Sequence, residues 1–245
     1  LCAHRWVHVA EPGFGVAMSP IVVGDLVIVH AGGTGNGAVL ALDVASGATK
    51  WAWQGDGPAY ASPIVADFVG TRQIVTQSQR HVVGLSPADG RLLWEIPFTT
   101  DYEQNSVTPI VANGLLIYGG LNKPTTAVRV SSAAGKWQTT PAWQNADLPM
   151  YMSSPVESNG NLYGLTHRSR GQFFCLDPRT GQTLWTTKGR EGENAAFVTA
   201  AGLVMVVTTE GELVIFRSNP KAFDTVKRYT VAESPVWAHP ALVAG

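Results

Sequence analysis

The segment Thr166-His167-Arg168-Ser169-Arg170-Gly171 brings one histidine and two arginines into six residues. If the chain is extended there, Arg168 and Arg170 flank Ser169 on one side, and two guanidinium groups so placed can fork onto a carboxylate or a phosphate. If it is a solvated loop, the same arginines only keep it in water. His167 is a candidate base or ligand, or a neutral loop histidine whose own charge is disfavoured by its cationic neighbours. Glu191 and Glu193, followed by Asn194, have the residue types of an acid–base pair, and equally those of a polar rim. No Ser-His-Asp order, P-loop, H-E-x-x-H or C-x-x-C occurs. Cys2 and Cys175 lie far apart without metal-ligand spacing and read as buried or incidental thiols.

These residues sit in loops, so the elements that hold the loops come next. The stretch Gly171 to Trp185, GQFFCLDPRTGQTLW, reads as a β-hairpin: an apolar strand, a turn from Asp177 to Gly181, and a returning strand. Asp177 can accept bonds from turn amides, Pro178 presets one corner, and Gly181 supplies a left-handed residue. The pattern recurs in Leu42–Trp51, with Asp43 and Gly47, and in Leu85–Trp94, with Ser86 and Gly90. Trp6, Trp51, Trp94, Trp143 and Trp185 follow one another at intervals of about 44 residues, and Tyr229 extends the series. Ser19-Pro20, Ser62-Pro63, Thr108-Pro109 and Ser154-Pro155 repeat in the same phase.

Between these markers each unit has room for four short strands and no helix. In the first they are residues 19–23, 25–30, 38–43 and 48–53, with Gly32–Gly37 as a longer loop tolerant of a side chain at Gly37. Runs such as Leu26-Val27-Ile28-Val29 and Leu203-Val204-Met205-Val206-Val207 are apolar on both faces. A four-stranded antiparallel sheet covered on both sides by copies of itself is a propeller blade. A β-sandwich gives no reason for a tryptophan at each period. The expected fold is all-β, a β-propeller with about five blades in 245 residues. The repeat units lie near residues 7–51, 52–94, 95–143, 144–185 and 186–229, with the start of another at 230–245. That partial unit suggests that the propeller domain, 1–245, is incomplete at both ends.

Net charge is −1, with 17 basic and 18 acidic residues, and only 14% of residues are charged. This balance gives no attraction for nucleic acid or anionic lipid. No apolar run is long enough for a transmembrane helix.

The unit S-P-x-V-x-x-G-x-[LV]-x-x-V followed by A-L-D-x-x-[ST]-G-x-x-x-W resembles the PQQ-like repeat of the quinoprotein-type β-propellers. That superfamily holds both pyrroloquinoline-quinone (PQQ) alcohol dehydrogenases and BamB-like assembly lipoproteins. The resemblance implies about eight blades in a whole propeller, with Trp51, Trp94, Trp143 and Trp185 docked between neighbours. The dehydrogenases carry a vicinal cysteine pair over the quinone and a calcium ion, which needs six to eight oxygen ligands. Neither is apparent in this sequence. The reading is therefore a non-catalytic binding or assembly scaffold of the bacterial envelope, periplasmic by resemblance, with no cofactor. The alternative is a PQQ- and calcium-dependent dehydrogenase acting on an alcohol or sugar.

In a propeller, the loops leading into each innermost strand and those joining the second and third strands gather at one mouth of the channel. This places Arg80, Glu103, Asn105, Tyr151, His167, Arg168, Arg170, Glu193 and Asn194 there. They are candidate contacts for a protein or peptide partner or a small ligand.

Overall fold

The computed structural model describes residues 15 and 17–243. Trp6 and Cys2 lie outside the described residues. Each repeat folds into one four-stranded antiparallel sheet whose strands neighbour one another in sequence order. The first sheet is β1 (Ile21–Val23), β2 (Leu26–Gly33), β3 (Asn36–Asp43) and β4 (Thr49–Trp53); the second is β5 (Ile64–Phe68), β6 (Thr71–Gln77), β7 (His81–Leu85) and β8 (Leu92–Pro97). The third is β9 (Ile110–Ala112), β10 (Leu115–Gly120), β11 (Lys123–Ala133) and β12 (Lys136–Asn145). The fourth is β13 (Val156–Ser158), β14 (Asn161–Thr166), β15 (Gln172–Leu176) and β16 (Thr183–Thr186). The fifth is β17 (Ala195–Ala200), β18 (Leu203–Thr208), β19 (Glu212–Arg217) and β20 (Asp224–Thr230). Two 3-10 turns, η1 (Asp101–Glu103) and η2 (Arg168–Arg170), are the helical elements among the described residues.

The chain forms two compact units. One comprises the described residues up to Pro109 together with Val130–Thr140, and the other Ile110–Arg129 with Pro141 onward. In the first unit, Ile28, Val39 and Ala41 of the first sheet pack with Ile74, Val83 and Leu85 of the second, and Trp51 closes the cluster. In the second, Tyr163, Leu165, Phe173 and Cys175 pack with Phe197, Val204, Val206 and Phe216, and Trp185 and Phe223 flank them. A thin strand run that is apolar on both faces buries itself only against another sheet, and this pairing of sheets is the core.

The outer hairpins repeat in detail. Gly47, Gly90 and Gly181 have φ of 71°, 70° and 75°. Their amides donate to Asp43 O at 2.8 Å, Ser86 O at 2.9 Å and Asp177 O at 2.8 Å. In each of β4, β8 and β16 the register slips by one residue just before the tryptophan. Trp51 donates its indole N–H to Pro87 O at 2.9 Å, in the turn of the following sheet. Trp143 does the same to Pro178 O at 2.9 Å, and Trp185 to Asn219 O at 2.8 Å. Below the ring lies the turn glycine. A Cβ at Gly90 would stand 2.4 Å from Trp51, and one at Gly181 2.5 Å from Trp143.

Three local readings are corrected. Trp94 serves its own sheet: it donates to Gln73 Oε1 at 2.6 Å and covers Gly84, where a Cβ would meet the ring at 2.2 Å. Gly84 leaves the slot and Gln73 the acceptor, so the ring folds back. Tyr229 is not in the tryptophan position of the fifth sheet. The slip between Ile215 and Phe216 places Lys227 there, with its ammonium 5.7 Å from the Tyr229 ring centroid. Finally, the Gly32–Gly37 stretch is mostly ladder, and only Thr34 and Gly35 form the turn. A Cβ on Gly37 would lie 2.6 Å from Pro58 and 2.8 Å from Gly57, so Gly37→Ala is not mild.

Two stability outcomes follow. Trp51→Ala is expected to lower stability by about 3–5 kcal/mol, and Trp51→Phe, which keeps a ring but loses the donor, by only ~1–2 kcal/mol, read from denaturant midpoints. Gly47 and Gly90 share a positive φ, but a Cβ on Gly47 meets nothing within 4 Å. Gly47→Ala therefore carries only the left-handed strain, about 1 kcal/mol, whereas Gly90→Ala adds ~1–3 kcal/mol of overpacking. Equal losses at the two glycines would refute the docking role of Trp51.

Candidate functional site

In the first unit the polar side chains converge on a residue that belongs to no sequence motif. Asp56 lies between Gly55 and Gly57 and is 8% exposed. Its Oδ2 accepts bonds from Ser78 Oγ at 2.7 Å, Arg80 N at 2.8 Å and His81 Nδ1 at 3.2 Å, and its Oδ1 from Gly57 N at 2.9 Å. Burial alone would raise this carboxyl, but the donors from Ser78, Arg80, His81 and Gly57 outweigh it and hold the group below the usual carboxylate range. A carboxylate flanked by two glycines was the available signal.

The same network fixes the predicted contacts nearby. Asn105 is fully buried; its amide donates to Ser78 O at 2.7 Å, Phe98 O at 2.9 Å and Gln79 O at 3.2 Å, and accepts from Thr100 N at 3.2 Å. Arg80 meets Glu103 at 3.2 Å at the surface. His30, 2% exposed, donates from Nε2 to Asp56 O at 3.1 Å, because a carbonyl can only accept. Burial keeps His30 neutral by lowering its pKa. Gln77 likewise anchors Val107 O. These residues tie the β6–β7 turn to the loops leading into β5 and β9.

The second unit holds the remaining candidates. His167 stacks edge-on to Tyr151, with ring centroids 6.4 Å apart. Its pKa is lowered, chiefly by burial and then by the Arg168 charge, against a hydrogen bond with the Pro149 backbone. Arg168 Nη2 donates to Ala146 O at 2.9 Å. Arg168 to Arg170 form η2, with Ser169 and Arg170 at φ of 53° and 61°. The chain is not extended there, so strand alternation does not aim the two arginines together. Arg170 is exposed, and its carbonyl accepts Gly192 N at 3.4 Å.

Glu193 is exposed and donates its backbone N–H to Glu210 Oε1 at 3.0 Å. Asn194 is buried, and its backbone exchanges bonds with Thr209. Glu191 does not pair with Glu193 as acid and base. Arg228 binds Glu191 at 2.5 Å and Glu212 at 3.1 Å, which turns the glutamate into an anchor for β20. Glu210, Thr209 and Asp56 carry the site's architecture and were not singled out from the sequence.

Among the described residues no group of three or more His, Cys, Asp and Glu is placed to hold a metal ion. Cys175 is fully buried, and burial pushes its thiol up to about 11. What the arrangement does chemically is hold loop backbones in fixed, partly left-handed shapes.

Repeated four-stranded blades bolted by tryptophan, with a hydrogen-bonded rim of loops, define a β-propeller built of PQQ-like repeats. Comparison with known proteins narrows this further: residues 5–187 match the family described as outer membrane protein assembly factor BamB, and the chain belongs to that family. The outer membrane protein assembly factor BamB of Yersinia pestis is 27% identical over 194 residues, covering 76% of this chain and 48% of the relative. The chain thus spans about half the length of that relative. Among solved structures, BamB from Moraxella catarrhalis superposes with a TM-score of 0.64 at 17% identity, over 86% of this chain and 62% of the other. Quinohemoprotein alcohol dehydrogenase from Comamonas testosteroni gives 0.58 at 15%, over 88% and 43%. At such identity both share the fold alone.

Asp56 generates a pH expectation. Its folded pKa is depressed, so its contribution is present above the unfolded carboxylate value, about 3.9, and is lost as pH falls through the folded value. Asp56→Ala is expected to cost roughly 3–5 kcal/mol at neutral pH, because it strands buried donors. Glu103→Ala, at an exposed ion pair, is expected to cost less than about 1 kcal/mol. Urea midpoints across the acid range check this; an acid limb in Asp56→Ala as steep as in the parent would overturn the assignment.

Proposed function

We propose that this chain is a non-catalytic propeller scaffold of the bacterial envelope, which binds a protein or peptide partner through its mouth loops. The observation that carries the reading is the use of the mouth's polar groups. Asp56, Asn105, His30, His167 and Glu191 bind loop backbone or fix neighbouring side chains. Asp56 and Glu191 turn their carboxylate oxygens to protein donors, and His30, His167 and Asn105 use N–H donors to hold loop backbone, whereas a general base works through a lone pair directed at substrate. The exposed groups left at the rim, Arg80, Arg168, Arg170 and Glu193, offer contacts to a partner. Membership of the BamB family supports the same reading, as do the names of its relatives, which describe outer membrane protein assembly. Envelope or periplasmic placement is part of the proposal. Among the described residues no helix is long and apolar enough to cross a membrane.

Two measurements test it. The protein encoded by the whole gene, expressed in a bacterium lacking its own BamB, is expected to restore outer-membrane protein levels; no restoration despite normal expression counts against the reading. Titration with PQQ and calcium is expected to leave the melting temperature and the quinone absorbance unchanged. A saturable shift in both, with dye reduction in the presence of an alcohol or a sugar, would establish the dehydrogenase instead.

A further inference from the structure

Away from the mouth, the second unit has an open cleft of about 580 Å³ lined in part by Asn113, Glu157, Asn159, Gly160 and Arg179. Two of its walls are two-residue hairpin turns of one kind. Asn113-Gly114 closes β9 and β10, and Asn159-Gly160 closes β13 and β14. Their φ values match: 50° and 73° in the first, 51° and 77° in the second. Both asparagines are exposed. They differ in what touches the amide that follows. Gly160 N–H donates to Glu157 Oε1 at 2.6 Å, whereas no side-chain carboxylate binds the N–H of Gly114 among the described residues.

Asn-Gly is the dipeptide in which the following backbone nitrogen reaches the side-chain amide most freely, because glycine carries no Cβ to obstruct it. That attack requires removal of the amide proton. Glu157 holds a carboxylate oxygen on that proton in one turn and nothing equivalent does so in the other among the described residues, within the same open cleft.

We propose that Asn159 is a site of self-catalysed deamidation, with Glu157 as its base. Gly160 N attacks Asn159 Cγ as the turn opens; the new N–Cγ bond forms, the Cγ–Nδ2 bond breaks, and the proton taken by Glu157 leaves with ammonia. Water then opens the cyclic imide at either carbonyl, giving aspartate or isoaspartate. The product has structural consequences. Asn159 Nδ2 donates to Ser218 Oγ at 2.7 Å, and Ser218 Oγ donates to Gly202 O at 2.9 Å, joining the β13–β14 turn to turns of the fifth sheet. A carboxylate at 159 cannot donate, and the single Ser218 hydroxyl proton cannot serve both it and Gly202 O, so the modification breaks one of these two bonds and adds a negative charge to the cleft that Arg179 also lines.

The test is peptide mapping by mass spectrometry, with isoaspartyl methyltransferase labelling, of protein incubated in mildly alkaline buffer. Asn159 is expected to convert several-fold faster than Asn113. Glu157→Gln, which keeps an acceptor but not a base, is expected to bring Asn159 to the Asn113 rate and leave Asn113 unaltered, with a circular dichroism melt confirming the fold. In urea the two sites are expected to react alike. Equal rates in the folded protein, an unaffected Asn159 in Glu157→Gln, or a preference that persists in urea would each overturn the proposal; if Glu157→Gln does not fold, the folded-versus-urea comparison of the parent decides.

Discussion

One contact carries the architecture: the indole N–H of a repeat tryptophan reaching a turn carbonyl in the following sheet while its ring lies on that turn's glycine. At Trp51–Pro87 with Gly90, and at Trp143–Pro178 with Gly181, donor, acceptor and glycine all belong to a single geometry. The turn glycine has two duties there. It takes a left-handed conformation, and it leaves the space the ring fills. A sheet of four strands with three to eleven residues each, apolar on both faces, has no core of its own. The tryptophan turns neighbouring sheets into mutual cores, which is the logic of repeat proteins. A second set of bonds acts at the innermost strands. Ser19 N donates to Ser62 Oγ at 2.9 Å, Ser62 N to Thr108 Oγ1 at 3.1 Å, and Ala195 N to Ser153 Oγ at 2.9 Å. In Ser62-Pro63 and Thr108-Pro109 the marker hydroxyl therefore accepts an amide of the preceding repeat, and at the fourth marker the acceptor is Ser153, one residue before it.

Fold was legible because both markers are backbone chemistry repeated at a fixed period. An Asp or Ser beginning the turn, a glycine ending it and a tryptophan four residues later can be read without knowing any partner. Gly47, Gly90 and Gly181 illustrate this, since the turn dictates the residue type. Tyr229 illustrates the limit. Counting residues placed it in the tryptophan series, but the intervals vary by several residues, and the pairing of β20 with β19 gives the position to Lys227. Trp94 marks another limit, because its direction depends on Gly84 and Gln73, which lie outside the repeat motif.

The loops were legible only in outline. The sequence picked out Arg80 and Asn105 in the first unit and His167 and Asn194 in the second, but not what each binds. The Asn105 side chain has four hydrogen bonds to groups between five and 27 residues away, and no local pattern encodes them. Asp56 escaped notice because its partners come from the β6–β7 turn, more than twenty residues on. Arg168 and Arg170 were assigned a common direction by strand alternation, and the left-handed φ of Ser169 and Arg170 removes that premise.

These left-handed residues connect the buried network to the exposed rim. Tyr102 and Glu103 have φ of 61° and 55° in the first unit, and Ser169, Arg170 and Arg190 have φ of 53°, 61° and 65° in the second. Each such residue costs about 1–2 kcal/mol in isolation, so a loop holding two of them relaxes unless its flanks are fixed. The flanks here are fixed. Buried Asn105 holds the first loop, and the backbone bonds Arg190 N to Ser169 O at 3.0 Å and Glu191 N to Gly171 O at 3.1 Å clasp the second. Gly171 makes that clasp possible, since a Cβ there would stand 1.9 Å from Gly192 O. Tyr102 is consequently 87% exposed on a backbone it would not choose. Inward polar groups thus do their work indirectly. They hold unfavourable loop shapes and so display outward side chains such as Tyr102 already ordered, which lowers the entropic cost of any contact made there.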